Sequence, residues 1–510
     1  MASMDEDLIK RVVIVGGGTA GWLSAAMMSS VLGKSIEIVL VESEEIGIVG
    51  VGEATIPPLV TLFSELGLNE AELMAAVQGT YKLGIAFVDW SAKGVIYSHA
   101  FGKMGHDIGL VPFYQAWLSE HLAGDAGSQA GSLWDFSLNH LASQGARFAH
   151  LDRIKDTPLA GLTYALHFDA GLLAGYLRKR YEARGVARRE GRIVDVSLRA
   201  EDGFIASITL ADGETIAGDL FVDCSGFRGL LIEGALKAGY DDWSNFLPCD
   251  RAIAVPCASA GPLLPYTRAT ARDAGWQWRI PLQHRIGNGH VFCSAFTSED
   301  QATQTLMANL DGAPLADPRP LRFTTGRRRS SWVKNCLALG LASGFMEPLE
   351  STSIHLVQSG MTRFLKVFPD KRCDPLTTAE YNRATEHEYQ LIRDFLVLHY
   401  KATTRDDTPF WRHCRDMAIP DSLAAKIEYF EEYGHLMIEH GDLFREENWV
   451  QVLIGQGVMP RAASPLSRAI DRASLATYMA DLRETYARAA AALPSHDAYI
   501  ARMMQAIAAA

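Results

Sequence analysis

The stretch RVVIVGGGTAGWLSAAMMSSVLG, residues 11–33, with SIEIVLVES following after Lys34, constrains the fold more than any other part of the chain. Val12 to Val15 form the short apolar run of a strand buried on both faces. Gly16, Gly18 and Gly21 follow in the spacing G-x-G-x-x-G, and the small residues after them suit a helix packed closely on a sheet. The second apolar run ends in an acid, Glu42. Strand, glycine turn, helix, strand and terminal acid in this order indicate a dinucleotide site. The turn lets a pyrophosphate approach the helix N-terminus, where N–H groups and the helix dipole favour negative charge, and the acid accepts from a ribose.

Later segments read as parts of the same module. Residues 191–227 hold three short strand patterns with turn signals at Asp202-Gly203 and Asp212-Gly213, then a β-run closing on Asp223 and Gly226. NCLALGLASGF, from 335, is a strand running into a Gly/Ser turn. A nucleotide-binding module over residues 1–360 is expected, interrupted by substrate-site segments at about 80–150 and 240–320. From about residue 361 the spacing becomes helical with Pro/Asp-rich breaks, which predicts a helical region over 361–510 that completes the substrate site. The fold class expected is α/β, a Rossmann-like dinucleotide-binding module with an additional β-sheet and a helical C-terminal layer.

Bulk properties narrow the function. A chain of 510 residues can bury the core of a full-sized enzyme. Its formal net charge of -12 argues against general affinity for nucleic acid or anionic membrane. The one dense basic run, Arg327 to Arg329, is expected in a solvated turn. Seven scattered cysteines without a C-x-x-C pair point to reduced thiols, without a disulfide frame or structural zinc. No apolar run reaches about 18 residues, so a cytoplasmic protein is expected. Metal catalysis lacks an H-E-x-x-H spacing and serine hydrolysis lacks G-x-S-x-G. With one dinucleotide fingerprint rather than two, FAD reduced by a partner protein is the simplest fit.

Five stretches then align with one family. VGGGTAGW at the glycine turn, GVGEATIP at 50–57, TYKLGIAFVDW at 80–90, GWQWRIP at 275–281 and EPLESTSIH at 347–355 make the chain resemble the flavin-dependent tryptophan halogenases. The resemblance runs from about residue 10 to 460 and implies that the Rossmann-like module is an FAD-binding one of the GR2 flavin monooxygenase type. It implies that FADH2, supplied by a separate NAD(P)H-dependent flavin reductase, reacts with O2 and a halide, chloride or bromide, to give hypohalous acid. That acid then reaches an electron-rich small aromatic substrate. A homodimer is the family expectation.

Residue by residue, the resemblance implies cofactor contacts from Gly16, Gly18, Thr19, Ala20, Gly21, Glu42, Glu53, Ala54, Leu341 and Ile354. Trp276, Trp278, Ile280 and Pro281 match the motif that bars substrate from the flavin. Lys82 matches the catalytic lysine, whose ammonium can polarise hypohalous acid or whose amine can form a haloamine. Glu350 matches the glutamate that stabilises the arenium cation or accepts its proton. Thr352 and Ser353 match the pair whose N–H groups bind halide, although well-known members carry glycine where Ser353 stands. If the backbone there has positive φ, the serine costs about 1 kcal/mol or more.

His99 and Phe101 match the family's His-x-Phe-Gly beside the substrate. The tyrosine pair that clamps free tryptophan is missing from residues 431–457, where Phe444 or Trp449 could still supply a stacking face. Indole or a derivative is therefore expected over free tryptophan. The alternatives are an FAD-dependent aromatic hydroxylase and a non-catalytic FAD-binding protein.

Overall fold

The computed structural model describes residues 7–45, 52–124 and 130–509, so that Gly50 and Val51 of GVGEATIP lie outside the described residues. The chain forms two compact units of three segments each. One comprises Met1–Gly79, Phe168–Ser244 and Arg322–Gln390, the other Thr80–His167, Asn245–Leu321 and Leu391–Ala510.

The first unit is built on six strands in the order Trp332–Val333, Cys336–Ala338, Leu220–Asp223, β1 (Arg11–Val15), β2 (Glu37–Glu42) and Ala187–Glu190. Every pair is parallel except the first. The central β1 buries Val12 to Val15 completely or nearly so, which explains its unbroken apolar run. On one face Val13, Val15, Val39, Val41 and Phe221 pack against Ile205, Ile208 and Ile216 of a three-stranded antiparallel sheet. Its hairpins turn at the two Asp-Gly pairs. Asp202 accepts from the Phe204 N–H and Asp212 from the Glu214 N–H, both at 2.9 Å.

The arginine run departs from the expected solvated turn. Arg327 and Arg328 lie on a short buried strand, Gly326–Arg328, and are 5% and 6% exposed. Arg327 pairs with Asp241 at 3.0 Å and Glu386 at 2.7 Å, while Arg328 donates to Glu233 at 2.9 Å and to the Ala342 carbonyl at 3.1 Å. Burial is tolerable because each guanidinium is given carboxylate partners, all distant in sequence.

The second unit is built on a seven-stranded sheet in which the edge strand Arg319–Arg322 is followed by Arg251–Cys257, Ile286–Phe292, Gly275–Pro281, Thr267–Arg272, Gly84–Val88 and Ile96–Ala100. From Arg251–Cys257 onward the neighbours are antiparallel apart from Thr267–Arg272 with Gly84–Val88. The helix Glu446–Gly455 covers the edge strand Ile96–Ala100. Its Gln451 side chain takes the Ala100 N–H at 2.9 Å and donates to the Ala100 carbonyl at 3.0 Å, satisfying backbone groups that an edge would leave open. All seven cysteines are free. Among the described residues no helix is long and apolar enough to cross a membrane, and no three His, Cys, Asp or Glu side chains group as a metal site.

Candidate active site

In the first unit the glycine turn is sterically compulsory at two places. Gly16 has φ +111°, and a Cβ there would lie 2.2 Å from the Cys224 carbonyl oxygen, while one on Gly21 would lie 1.8 Å from the Gly16 carbonyl. At Gly18 a Cβ would meet nothing within 4 Å, so the space before helix α1 (Thr19–Leu32) is open. The first helical bond runs from the Trp22 N–H to the Gly18 carbonyl, with no side-chain cap and no acid in the first turn. That leaves the α1 terminus as a donor site for an anion.

Glu42 leans over this turn, since a Cβ on Gly17 would strike its carboxylate. Arg188, Arg178 at 3.4 Å and the Trp22 indole N–H at 3.3 Å hold it. A carboxylate offers about four acceptor sites, so Glu42 can still take a ribose hydroxyl. Open donors and a nearby carboxylate fit a dinucleotide. The Gly340–Ala342 turn closes on the same helix: a Cβ on Gly340 would lie 2.8 Å from the Ala20 Cβ and 3.6 Å from Val357. The segments holding Ala20, Leu341 and Ile354 thus converge. Glu53 and Ala54 sit on a short strand, Gly52–Ala54, and burial pushes the Glu53 carboxyl up to about 7.

EPLESTS makes a tight turn in the same unit, between Gly344–Phe345 and the helix Ser353–Lys366. The Ser351 N–H donates to the Pro348 carbonyl at 3.1 Å, and Glu347 (φ 68°) and Ser351 (φ 61°) occupy the left-handed region. The strain therefore falls on these two positions and not on Ser353, which is the first helical residue and carries no positive φ. Glu350 and Thr352 are almost fully buried, and Thr352 caps the helix without a side-chain hydrogen bond. The first helical bond, Leu356 N–H to Thr352 carbonyl, lies beyond the N–H of Ser353. His355 Nε2 is 3.4 Å from Glu388, which Arg363 and Ser359 also hold. Burial raises the Glu388 carboxyl, but the His355 and Arg363 contacts bring it below the usual carboxylate range.

In the second unit Lys82 ends the strand Thr80–Lys82 and is wholly buried, its Nζ 5.3 Å from the Phe101 ring centroid. His99, two residues before Phe101, is 2.9 Å through Nε2 from Asn448 Nδ2. The Asn448 oxygen takes the Arg445 N–H at 2.7 Å, so the amide nitrogen faces His99. This network assigns the neutral imidazole its proton on Nδ1. His99, Phe444 and Trp449 gather around Phe395, at centroid distances of 5.5 Å, 3.9 Å and 5.0 Å. Phe444 stacks on that ring, and the Lys426 ammonium lies 4.2 Å over Trp449.

Trp276, Trp278 and Ile280 occupy alternate positions of Gly275–Pro281 and so share one face. The two indoles are 6.1 Å apart, and the Trp278 ring covers Gly289 on the neighbouring strand, where a Cβ would meet it at 2.0 Å. A cleft of about 450 Å³ opens in this unit, with Lys103, Met104, Tyr114, Arg445, Glu446 and Glu447 among its walls. Burial raises the Glu446 carboxyl, which accepts from the Tyr114 hydroxyl at 2.9 Å.

The sequence profile of the family described as tryptophan halogenase matches residues 11–472. The chain belongs to this family. Among solved structures it resembles Xcc4156, a flavin-dependent halogenase from Xanthomonas campestris, at 48% identity and TM-score 0.93, covering 97% of this chain and 98% of the other. BrvH, a flavin-dependent halogenase from Brevundimonas sp. BAL3, is 44% identical with TM-score 0.93 over 97% and 99% of the two chains. The tryptophan 6-halogenase SttH of Streptomyces toxytricini is 36% identical over 97% of this chain and 98% of its own. The protein is accordingly a flavin-dependent halogenase, an oxidoreductase that uses FADH2, halide and O2 with a separate flavin reductase.

Several residues that contact the candidate site residues or their strands were silent in the sequence. Phe395 lies inside a long helical run, and Asn448 and Gln451 look like ordinary helix polar residues until their partners are seen at 99 and 100. Arg188, the partner of Glu42, carries no motif of its own.

Proposed function

We propose that the halogenase installs chlorine or bromine on an electron-rich aromatic ring, indole or an indole derivative, with Lys82 and Glu350 as its catalytic residues. Bound FADH2 with O2 supplies the power to oxidise halide to hypohalous acid. Gly16, Gly18, Thr19, Ala20 and Gly21 hold the pyrophosphate, Glu42 the ribose, and Glu53, Ala54, Leu341 and Ile354 border the rest of the cofactor. The N–H groups of Thr352 and Ser353 hold the halide.

Lys82 donates a hydrogen bond to hypohalous acid and makes the halogen more electrophilic, while Phe101 and His99 border the ring that receives it. Glu350 stabilises the arenium cation and takes its proton. Trp276, Trp278, Ile280 and Pro281 keep substrate from the flavin. The observation that carries this reading is a completely buried lysine facing an aromatic ring in a chain matched to halogenases over most of its length. An ammonium in such a place is costly unless it has a task. The absence of the tyrosine pair favours indoles, with or without a substituent, over free tryptophan.

The test is incubation with FAD, a generic flavin reductase, NADH and O2, offering indole and tryptophan in chloride and in bromide, with products read by mass spectrometry. Halogenated indole that disappears in Lys82→Ala and in Glu350→Gln is expected. Oxygenated product without halide would instead make the protein a hydroxylase.

A further inference from the structure

We propose that His167 is the positioning residue for Lys82, a neutral bridge that ties the lysine strand to the end of the Trp276–Pro281 barrier motif. This rests on Lys82 being the group through which halogen reaches the substrate. Thr80 and Lys82 are two apart on one strand, so their side chains leave the same face. Across the ladder His167 lies opposite Thr80 and Ala165 opposite Lys82. The imidazole and the lysine stem therefore share that face, and the small Ala165 leaves the stem room.

The proton positions follow from the partners. The Thr80 hydroxyl is 2.7 Å from the Pro281 carbonyl oxygen, which can only accept, so its one proton points there. Towards His167 Nδ1, 3.0 Å away, Thr80 can then only accept, and Nδ1 must carry a proton. Nε2 in turn accepts from the Thr267 hydroxyl at 2.9 Å. One directed chain results, Thr267 to His167 to Thr80 to Pro281, and it joins three segments distant in sequence.

His167 is completely buried. Burial holds its pKa well below the ordinary histidine value, and Lys82, His496 and Arg279 push in the same direction. Both ring nitrogens are thus satisfied without a second cation beside the lysine. The strand is also gripped one residue on, where the Tyr81 N–H donates to His496 Nε2 at 3.1 Å. A lysine held from both sides in this way keeps its Nζ at a fixed reach, and reach decides whether hypohalous acid is delivered or lost.

The experiment uses the FAD-loaded full chain with reductase, NADH, bromide and indole, and measures bromoindole together with escaped hypobromous acid, trapped by taurine as its N-bromoamine. His167→Leu removes both bridging bonds, and His167→Asn keeps a donor towards Thr80. In His167→Leu the ratio of product to trapped oxidant is expected to fall between about tenfold and a hundredfold, the scale of a misplaced reacting group. NADH consumption and FAD content should stay as in the parent, and His167→Asn should recover part of the ratio. Thr267→Val, which withdraws only the donor to Nε2, should shift the ratio the same way by less, and it serves if His167→Leu does not fold. An unchanged ratio in the folded variants overturns the inference. Retention of product by Lys82→Ala would instead overturn the role of the lysine itself.

Discussion

Glu53, on the short strand Gly52–Ala54, offers the clearest quantitative test of the energetics in the first unit. Its carboxyl titrates at about 7 in the folded protein against an ordinary 4.5, because burial disfavours the anion. Above pH 7 the folded chain holds an ion that the unfolded chain holds more easily, whereas below 4.5 both forms are neutral. The penalty is therefore absent at low pH, grows through the window between the two values and is complete above it. At about 1.4 kcal/mol per pH unit it reaches on the order of 3 kcal/mol. Glu53→Gln keeps the shape and removes the charge. Its stability advantage over the parent should grow by roughly 2 kcal/mol between pH 5 and pH 8. Urea unfolding followed by circular dichroism at those two pH values measures this directly. An advantage equal at both would refute the argument, since Glu53 would then ionise as easily folded as unfolded.

Gly16→Ala should lose both FAD and thermal stability, because its Cβ meets the Cys224 carbonyl, whereas Gly18→Ala, facing open space, should lose FAD yet keep the melting temperature of the FAD-free parent; flavin absorbance of the purified proteins reads the first and calorimetry of the flavin-free proteins the second. Ser353→Gly should cost about 0.5–1 kcal/mol in urea unfolding and leave the halide KM within about twofold, because the residue is helical. Arg327→Met should cost about 2–3 kcal/mol by the same assay, since it strips Asp241 and Glu386 of their shared cation. Burial, the leading cause for each, lowers His290 and His496 to about 4. The unfolded chain therefore binds protons that the folded chain refuses, and the contribution of these two histidines to stability should be full above pH 6.5 and fall between 6.5 and 4, opposite in sign to that of Glu53. His290→Asn should flatten that fall in a pH series of urea midpoints.

The glycine turn was legible because its reasons are local: Gly16 and Gly21 must lack a Cβ, and the sequence around them has the periods of strand and helix. The Asp-Gly hairpins were legible on the same grounds, since each aspartate bonds to backbone two residues away. Lys82 was marked by its apolar surroundings. Non-local partnerships left no trace. Arg327 and Arg328 look like a solvated run because a guanidinium's burial depends on carboxylates at 233, 241 and 386. His167 is one histidine in an apolar strand, and only the hydroxyls at 80 and 267 give it a task. The backbone at Ser353 was undecidable from sequence, because the left-handed residues that make that turn are Glu347 and Ser351, neither a glycine.

The strand order of the first unit also sets a timetable for synthesis. β1 and its glycine turn leave the ribosome first, yet the strand that flanks β1 on one side is Leu220–Asp223, and the next one out is Cys336–Ala338. At roughly 5–20 residues per second the N-terminal strand waits on the order of tens of seconds for them. Throughout that interval its apolar run is a vacant edge that other nascent chains or a chaperone can reach. A ribosome that stops before residue 336 leaves the glycine turn made but its sheet unfinished, so the yield of flavin-competent protein should depend on the speed of elongation as much as on the final stability of the fold.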